Sequence, residues 1–213
     1  MRKLTLLIGM VLGLSSLGLA GACGVGTMAS YSSPGFSCSI GGLTFSNFSY
    51  SSSAFGGAVS IPAAGVTVTP VSGAESGFQF EAPWIASSSQ GEDSTISYTV
   101  TGSITDLVLS MAGFGFTDGA DVSVAESSAT PPLSLLVFDN STGMTPSDTI
   151  TGLSLSTLTV TKDIAVLGNG GTGHLSIVDN LYSTGAVPEP ASMLLLGSGM
   201  LGLAGFVRRR KRA

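Results

Sequence analysis

The sequence predicts an all-β protein whose body is a single antiparallel β-sandwich of the jelly-roll or immunoglobulin-like class. Segments with the 3.6-residue apolar period of a long amphipathic helix are not found in the body. Short runs rich in Val, Ile, Thr, Leu and Phe recur instead, separated by Gly, Pro, Asn and Asp. The body, residues 23–184, is long enough for one hydrophobic core and shows no internal repeat, so a single domain is expected.

About nine strands are expected in this body, the first of them in "LTFSNFSYSS". Its apolar alternation runs through Leu43 and Phe45 and then shifts by one position to Phe48 and Tyr50, which predicts a β-bulge. The remaining strands are expected in "GVTVTPV", "GFQFEA", "STISYTVTG", "ITDLVLSMAGFG", "ADVSVAES", "LSLLVFDN", "LSLSTLTVTKDIAVL" and "HLSIVDN".

The charges are segregated along the chain, which has 8 Lys and Arg against 13 Asp and Glu. Lys162 is the only basic residue between Lys3 and Arg208, whereas every acid lies between Glu75 and Glu189. The body is therefore strongly acidic. Because affinity for nucleic acids comes largely from Lys and Arg that displace counterions, nucleic acid is excluded as a partner.

Residues 1–22 have the three parts of a secretory signal peptide: two basic residues, an apolar stretch and the small residues Ala20-Gly21-Ala22. Cleavage is expected between Ala22 and Cys23. An uncleaved membrane anchor and a lipid-modified Cys23 are the alternatives. Lipid modification usually requires a leucine three residues before the cysteine, and Ala20 stands there.

Two cysteines, Cys23 and Cys38, remain in the exported body. An oxidising compartment and the turn-forming glycines and proline between them favour a disulfide over two free thiols. Neither cysteine lies in a recognisable thiol-enzyme motif.

The segment from residue 185 onward combines three features: the motif "VPEP" at 187–190, an uncharged apolar stretch at 191–207 and a basic tail at 208–213. At 1.5 Å per residue the apolar stretch makes a helix of about 25 Å, just sufficient to cross a thinned bilayer. The bases that follow it stop transfer and keep the body outside. These bases are Arg208, Arg209, Arg210, Lys211 and Arg212. An ordinary C-terminal anchor is the simpler alternative.

The order of these three features resembles the PEP-CTERM sorting signal of exported Gram-negative proteins. The resemblance implies that Pro188, Glu189 and Pro190 are recognised by an exosortase, a membrane enzyme that processes the substrate. It implies transient anchoring in the inner membrane, followed by release to the cell surface or extracellular matrix. Proteins with this signal are typically associated with exopolysaccharide and biofilm production.

Two motifs in the body suggest chemistry but have simpler explanations. "GNGGTG" at 168–173 has the spacing of a dinucleotide-binding loop, yet a strand rather than a helix follows it, so a hairpin turn is expected. His174 is the only histidine and has no recognisable partner for hydrolysis or zinc binding, so it is expected at the start of a strand.

Two further groups of residues are weaker candidates for ligand binding. Asp118, Asp121 and Glu126 offer oxygen ligands for calcium, although solvated turn acids explain them equally well. Trp84, the only tryptophan, follows a proline that is expected to end a strand, and it could stack on a sugar ring or belong to the core.

The sequence therefore favours an exported, non-enzymatic envelope or matrix protein that associates with extracellular polysaccharide. No catalytic residue, cofactor or metal site is expected, because no set of nucleophile, base and acid is recognisable. The alternative is a carbohydrate-binding module or adhesin in which Trp84 and neighbouring aromatic residues contact sugar.

Overall fold

The computed structural model describes residues 20–185. The expected signal peptide, apart from Ala20 to Ala22, and the expected sorting segment after Gly185 lie outside these residues. No helix within residues 20–185 is long and apolar enough to cross a membrane.

Fourteen strands and two short helical turns make up the described part of the chain. They are β1 (Gly21–Ala22), β2 (Gly26–Thr27), α1 (Met28–Tyr31), β3 (Ser37–Ile40), β4 (Leu43–Phe55), a 3-10 turn (Ala63–Gly65), β5 (Thr67–Val71), β6 (Glu75–Ser87), β7 (Gly91–Ala112), β8 (Gly115–Phe116), β9 (Asp121–Ala129), β10 (Pro132–Asn140), β11 (Gly143–Thr145), β12 (Ser147–Ile150), β13 (Leu155–Leu167) and β14 (Thr172–Thr184).

Strand β7 belongs to both layers of the sandwich. Its first half, residues 91–101, pairs with β4 and β13, and its second half, residues 104–112, pairs with β12 and β14. Gly102 lies between the halves with a φ of 142°, where a side chain would be strained, and a Cβ there would lie 2.6 Å from Leu43 Cδ2. One continuous hydrogen-bonded sheet therefore folds over into two facing layers.

The first layer has the strand order β3-β4-β7-β13-β9-β10-β11, with β1 parallel to β3. The second layer has the order β2-β5-β6-β14-β7-β12, with β8 beside β14. Apart from β1 with β3, every pair in these layers is antiparallel. The predicted antiparallel β-sandwich is confirmed.

Aromatic side chains from the two layers meet in the core. Phe45 of the first layer and Phe78 of the second have ring centroids 4.7 Å apart. Tyr98 of the first layer and Tyr182 of the second also lie in this core. All four aromatic side chains are fully buried. Burial of a side chain of this size contributes about 1.5–3 kcal/mol, so these contacts hold the layers together.

The expected strands are present, with two differences in their bounds. The segments "STISYTVTG" and "ITDLVLSMAGFG" form the single strand β7 rather than two strands. Strand β6 continues through Pro83, which was expected to end it. Here one residue of β14, Ser176, opposes two residues of β6, and in such a bulge a proline without an N–H is tolerated.

The bulge expected in β4 is confirmed. The register between β4 and β7 shifts between Ser46 and Ser49, so that two residues of β4 face one of β7. Asn47, in the bulge, has a φ of 57°. The shift returns Phe48 to the core after Phe45, as the apolar pattern indicated.

Candidate functional site

Cys23 and Cys38 form a disulfide, as the sequence favoured. The bond lies beside the pairing of β1 with β3, where Cys23 N–H donates to the carbonyl of Ser39. Of the two possibilities for Trp84, a sugar contact or a place in the core, the structure shows the core. Its side chain is 0% exposed, and Nε1 donates to Ser94 Oγ at 3.1 Å within the core.

A sugar-stacking surface of several aromatic rings is not found on the described residues. Phe55, 59% exposed, is the one aromatic residue there whose ring is largely in solvent. A row of coplanar exposed rings is the usual basis for stacking on sugars, and a single phenylalanine does not provide it. The proposed alternative of a surface aromatic platform thus loses its support.

Residues 168–171 form a tight turn, but this turn does not close a hairpin. Asn169 and Gly170 have positive φ values of 43° and 96°, as such a turn requires. The flanking strands β13 and β14 lie in different layers, so the turn crosses the edge of the sandwich and packs on the turn at residues 88–90. His174 is exposed near the start of β14, opposite Ile85, as expected of a strand-start residue.

The three acids considered for calcium do not come together. Glu126 points into the core, whereas Asp121 lies five residues earlier on β9 and accepts a hydrogen bond from Asn140 Nδ2 at 2.8 Å. Asp118 lies in the preceding turn with a φ of 48°. Within residues 20–185 there is no group of three or more His, Cys, Asp or Glu side chains that could hold a metal ion.

A buried polar cluster lies between the two layers, and no local pattern in the sequence predicts it. We call it the core cluster; its members are Tyr98, Glu126, Lys162, Asn180 and Tyr182. Lys162 and Glu126 come from β13 and β9 of the first layer, and Asn180 and Tyr182 come from β14 of the second. All five side chains are at most 1% exposed.

Lys162 Nζ is the centre of the core cluster. It lies 2.9 Å from Glu126 Oε2, donates to Asn180 Oδ1 at 2.6 Å and donates to Tyr98 Oη at 3.2 Å. Nζ also lies 4.6 Å from the centroid of the Tyr98 ring. The only basic residue of the body is therefore fully enclosed by polar and aromatic groups.

Asn180 is held in one orientation by contacts at both ends of its amide. Nδ2 donates to the carbonyl of Val108 at 3.1 Å and to Glu126 Oε1 at 3.3 Å. Oδ1 accepts hydrogen bonds from the hydroxyls of Tyr98 and of Tyr182, the latter at 2.7 Å, as well as from Lys162. Glu126 thus touches both the amine of Lys162 and the amide nitrogen of Asn180.

Burial shifts the pKa values of three members of the core cluster, Lys162, Tyr98 and Tyr182. It lowers the pKa of Lys162 below its usual value, although the nearby Glu126 opposes this shift. It raises the pKa values of Tyr98 and Tyr182 well above 10, so both hydroxyls keep their protons.

A second buried acid, Glu92, lies near an apolar cleft. Its side chain is 1% exposed; Oε1 accepts from Ser94 Oγ at 2.9 Å, and Oε2 has no hydrogen-bond partner among the described residues. Ser94 in turn contacts Tyr50, whose hydroxyl donates to the carbonyl of Ile61. Burial raises the pKa of Glu92 to about 7, and the Ser94 hydroxyl partly offsets this.

The cleft beside Glu92 has a volume of about 500 Å³. Its walls include Val59, Ile61 and Pro62 from the loop after β4, and Pro83 and Ile85 from β6. Val59 and Ile85 are 84% and 55% exposed. Nothing in the described chain occupies the cleft.

The outer side of the first layer is covered by hydroxyl groups. We call it the hydroxyl face; it contains Ser46, Ser49, Ser51 and Ser53 of β4, Thr95, Ser97, Thr99 and Thr101 of β7, and Thr157, Thr159 and Thr161 of β13. These residues alternate with inward-facing, mostly apolar ones and lie in register, so Ser46, Thr99 and Thr159 form one row. Thr99 and Thr159 hydroxyls are 3.0 Å apart.

The sequence carried a signal for the hydroxyl face but almost none for the core cluster. The Ser and Thr alternation in β7 and β13 is visible as a two-residue period. Lys162 stands out as the only basic residue of an acidic body, but its partners lie 36 positions before it, at Glu126, and 18 after it, at Asn180. Only the packing of three strands brings them together.

Residues 186–211 match the PEP-CTERM protein-sorting motif. The chain carries a PEP-CTERM sorting motif. The resemblance noted in the sequence is thereby confirmed, and a PEP-CTERM motif implies export, transient membrane anchoring and processing by an exosortase. The match covers the sorting segment alone and does not describe the sandwich.

Comparison of the sandwich with solved structures finds distant likenesses. TmCBM61, solved in complex with beta-1,4-galactotriose, aligns at 11% identity over 63% of this chain and 88% of its own, with a TM-score of 0.35. The enzymatically active domain of tailspike protein 4 of bacteriophage CBA120 aligns at 13% identity over 63% of this chain and 19% of its own, with a TM-score of 0.26. No curated protein sequence matches the chain significantly.

A third likeness is to carbohydrate-binding modules of the β-sandwich superfamily, at 11% identity over 78% of this chain and 61% of the other, with a TM-score of 0.18. All three TM-scores are below 0.5, so these likenesses carry no information about a ligand of this protein.

Proposed function

We propose that this protein is an exported, non-enzymatic component of the cell envelope or extracellular matrix, sorted by an exosortase and associated with extracellular polysaccharide. The observation that carries the proposal is the sorting motif at residues 186–211. The motif concerns the export and sorting of the protein. The surface of the sandwich is the observation that favours a location in the extracellular matrix.

The body offers a surface suited to a hydrated polysaccharide matrix. The hydroxyl face presents serine and threonine side chains across three neighbouring strands, and the acids around it give the body a negative charge. Such a surface holds water strongly and resists self-association through net charge. Sugar stacking on aromatic rings is not part of the proposal, because Trp84 is buried.

Delivery would proceed in two stages. Residues 191–207 would anchor the chain in the inner membrane of a Gram-negative cell, with the basic residues 208–212 on the cytoplasmic side. Pro188, Glu189 and Pro190 would then be recognised outside the membrane. Prolines lack an N–H and favour extended neighbours, so the motif would be an accessible, extended segment.

The proposal is tested by replacing Pro188, Glu189 and Pro190 with alanine in the full chain. Wild-type protein is expected in shortened form outside the inner membrane, whereas the triple variant is expected at full length in the membrane fraction. Cell fractionation, followed by immunoblotting with an antibody to the sandwich, measures both the length and the location of the protein. Replacement of Leu194, Leu195 and Leu196 by valine is the matched control, because it preserves apolarity and is expected to leave sorting unchanged.

Two results would contradict the proposal. Processing of the triple-alanine variant like the wild type would show that the motif is not recognised and that residues 191–207 serve only as an anchor. Wild-type protein that stays at full length in the inner membrane, in a cell with an active exosortase, would also show that the motif is not recognised.

A further inference from the structure

We propose that Lys162 and Asn180 become joined by an intramolecular amide bond between their side chains, formed by the core cluster itself with release of ammonia. The inference does not depend on the sorting route, because it rests only on the interior of the sandwich. It assigns the core cluster a chemical role: a covalent link between the two layers.

The first requirement for such a reaction is a nucleophile close to the amide carbonyl. Lys162 Nζ lies 2.6 Å from Asn180 Oδ1, and a carbonyl bond is about 1.23 Å long, so Nζ is within about 4 Å of the carbonyl carbon. Both side chains are 0% exposed and come from packed strands. Holding the two groups in contact removes most of the entropic cost of bringing reactants together.

The second requirement is an uncharged amine, because the ammonium form has no lone pair. Lys162 is fully buried in the core, and burial lowers its pKa. Glu126 Oε2, at 2.9 Å, is in position to take a proton from Nζ. In a medium of low dielectric, this transfer converts a costly ion pair into two neutral groups.

The third requirement is stabilisation of charge on the carbonyl oxygen during attack. Asn180 Oδ1 accepts hydrogen bonds from the hydroxyls of Tyr98 and Tyr182, and burial keeps both hydroxyls protonated. Preorganised donors aimed at such an oxygen lower the barrier of acyl transfer strongly. The amide orientation that this requires is fixed by the hydrogen bond from Nδ2 to Val108.

The fourth requirement is a proton for the departing nitrogen. Glu126 Oε1 already contacts Asn180 Nδ2 at 3.3 Å, while its other oxygen contacts Lys162. One carboxyl group can therefore take protons from the attacking amine and give one to the leaving amine, as a general base and then a general acid.

The atoms and protons balance without another reactant. The Lys162 ammonium first gives a proton to the Glu126 carboxylate. The lone pair of Nζ then attacks the side-chain carbonyl carbon of Asn180, and the carbonyl electrons move to Oδ1. When these electrons return to the carbon, the bond from that carbon to Nδ2 breaks. Nδ2 takes a proton from Glu126 and leaves as ammonia. Glu126 then takes a second proton from Nζ, which keeps one hydrogen in the new amide. The products are an amide, ammonia and a neutral Glu126.

The sequence offers an unusually direct test, because Lys162 is the only site for trypsin between Lys3 and Arg208. Trypsin requires a free lysine side chain. The full chain, reduced, alkylated and denatured, is expected to resist cleavage after Lys162 if the amide has formed. Complete cleavage there would overturn the proposal.

Peptide mapping provides a second measurement that does not depend on resistance to a protease. Cleavage after acidic residues separates residues 149–163 from the peptide that starts at Asn180. We expect these two peptides joined, with a mass below their sum by one ammonia molecule. Recovery of both as separate linear peptides, with none joined, would refute the bond.

Three variants distinguish reaction from simple packing. Lys162→Arg keeps a positive charge and a trypsin site but cannot form the amide, so cleavage should return. Glu126→Gln keeps the side-chain shape but removes the proton carrier, so the joined peptide should disappear. Glu92→Gln is the matched control at the other buried glutamate, and this variant should still yield the joined peptide. A joined peptide in Glu126→Gln at the wild-type yield would show that Glu126 does not promote the step.

Discussion

Lys162 Nζ and Glu126 Oε2 lie 2.9 Å apart, and their side chains are 0% and 1% exposed. A charge pair so deeply buried contributes little net stability, because both groups lose their hydration. Removal of one partner is a different matter, since the other charge is then left without compensation. The pair therefore makes the centre of the sandwich sensitive to single substitutions.

The first prediction concerns this sensitivity. Glu126→Leu should lower the free energy of unfolding by about 3–5 kcal/mol relative to the double variant Glu126→Leu/Lys162→Met, in which no charge remains. Neither variant can form the proposed amide, so their difference reflects the buried Lys162 amine and its hydrogen bonds rather than the covalent link. Urea unfolding followed by circular dichroism provides the comparison. Equal stabilities would show that Lys162 finds another partner or loses its charge at no cost.

The second prediction concerns Glu92 and pH. Its pKa is raised from 4.5 to about 7, so between these values the folded protein keeps a proton that the unfolded chain has released. The contribution of protonated Glu92 to the free energy of unfolding is therefore fully present below pH 4.5, and it is lost as the pH rises through 7. We expect wild type to lose about 2 kcal/mol more than Glu92→Gln between pH 5 and pH 7.5.

Urea midpoints of the two proteins, measured across this range, test the prediction. The comparison with Glu92→Gln is necessary because burial also raises the pKa of Asp179 and of Asp93. Parallel profiles for wild type and variant would mean that Glu92 titrates alike in the folded and unfolded chains.

The third prediction concerns the disulfide. Cys38→Ser opens a loop with a sequence separation of 15, and the loop-entropy account gives a loss of about 3 kcal/mol. The sandwich should stay folded, because the long strands of both layers pair with one another without this bond. Cys23→Ser should lose the same amount, and the double variant no more than either. Additive losses would indicate that each cysteine contributes separately.

The fourth prediction concerns processing at the N-terminus. The small residues Ala20-Gly21-Ala22 lead us to expect a mature chain that begins at Cys23 without lipid. Mass spectrometry of protein recovered from outside the inner membrane would show this. A diacylglyceryl group on Cys23, which occupies the thiol as a thioether and therefore excludes the disulfide with Cys38, is the contrary result.

The sequence by itself determined the features that depend on local order. Alternating apolar residues placed most of the strands, the shift from Phe45 to Phe48 located a bulge, and "VPEP" with its apolar and basic neighbours identified the sorting motif. Each is recognised within a few consecutive residues, because strand period, bulges and sorting signals are local patterns.

Tertiary structure alone decided which layer each strand joins and which polar groups meet in the core. The sequence could not show that β7 serves both layers, since its bend at Gly102 reads equally well as a break between two strands. It could not place Trp84, because an aromatic ring fits both the core and a sugar-binding surface. Glu126, Lys162 and Asn180 belong to three strands, and their contact exists only because two layers close over them; long-range packing and the loss of water then set their chemistry.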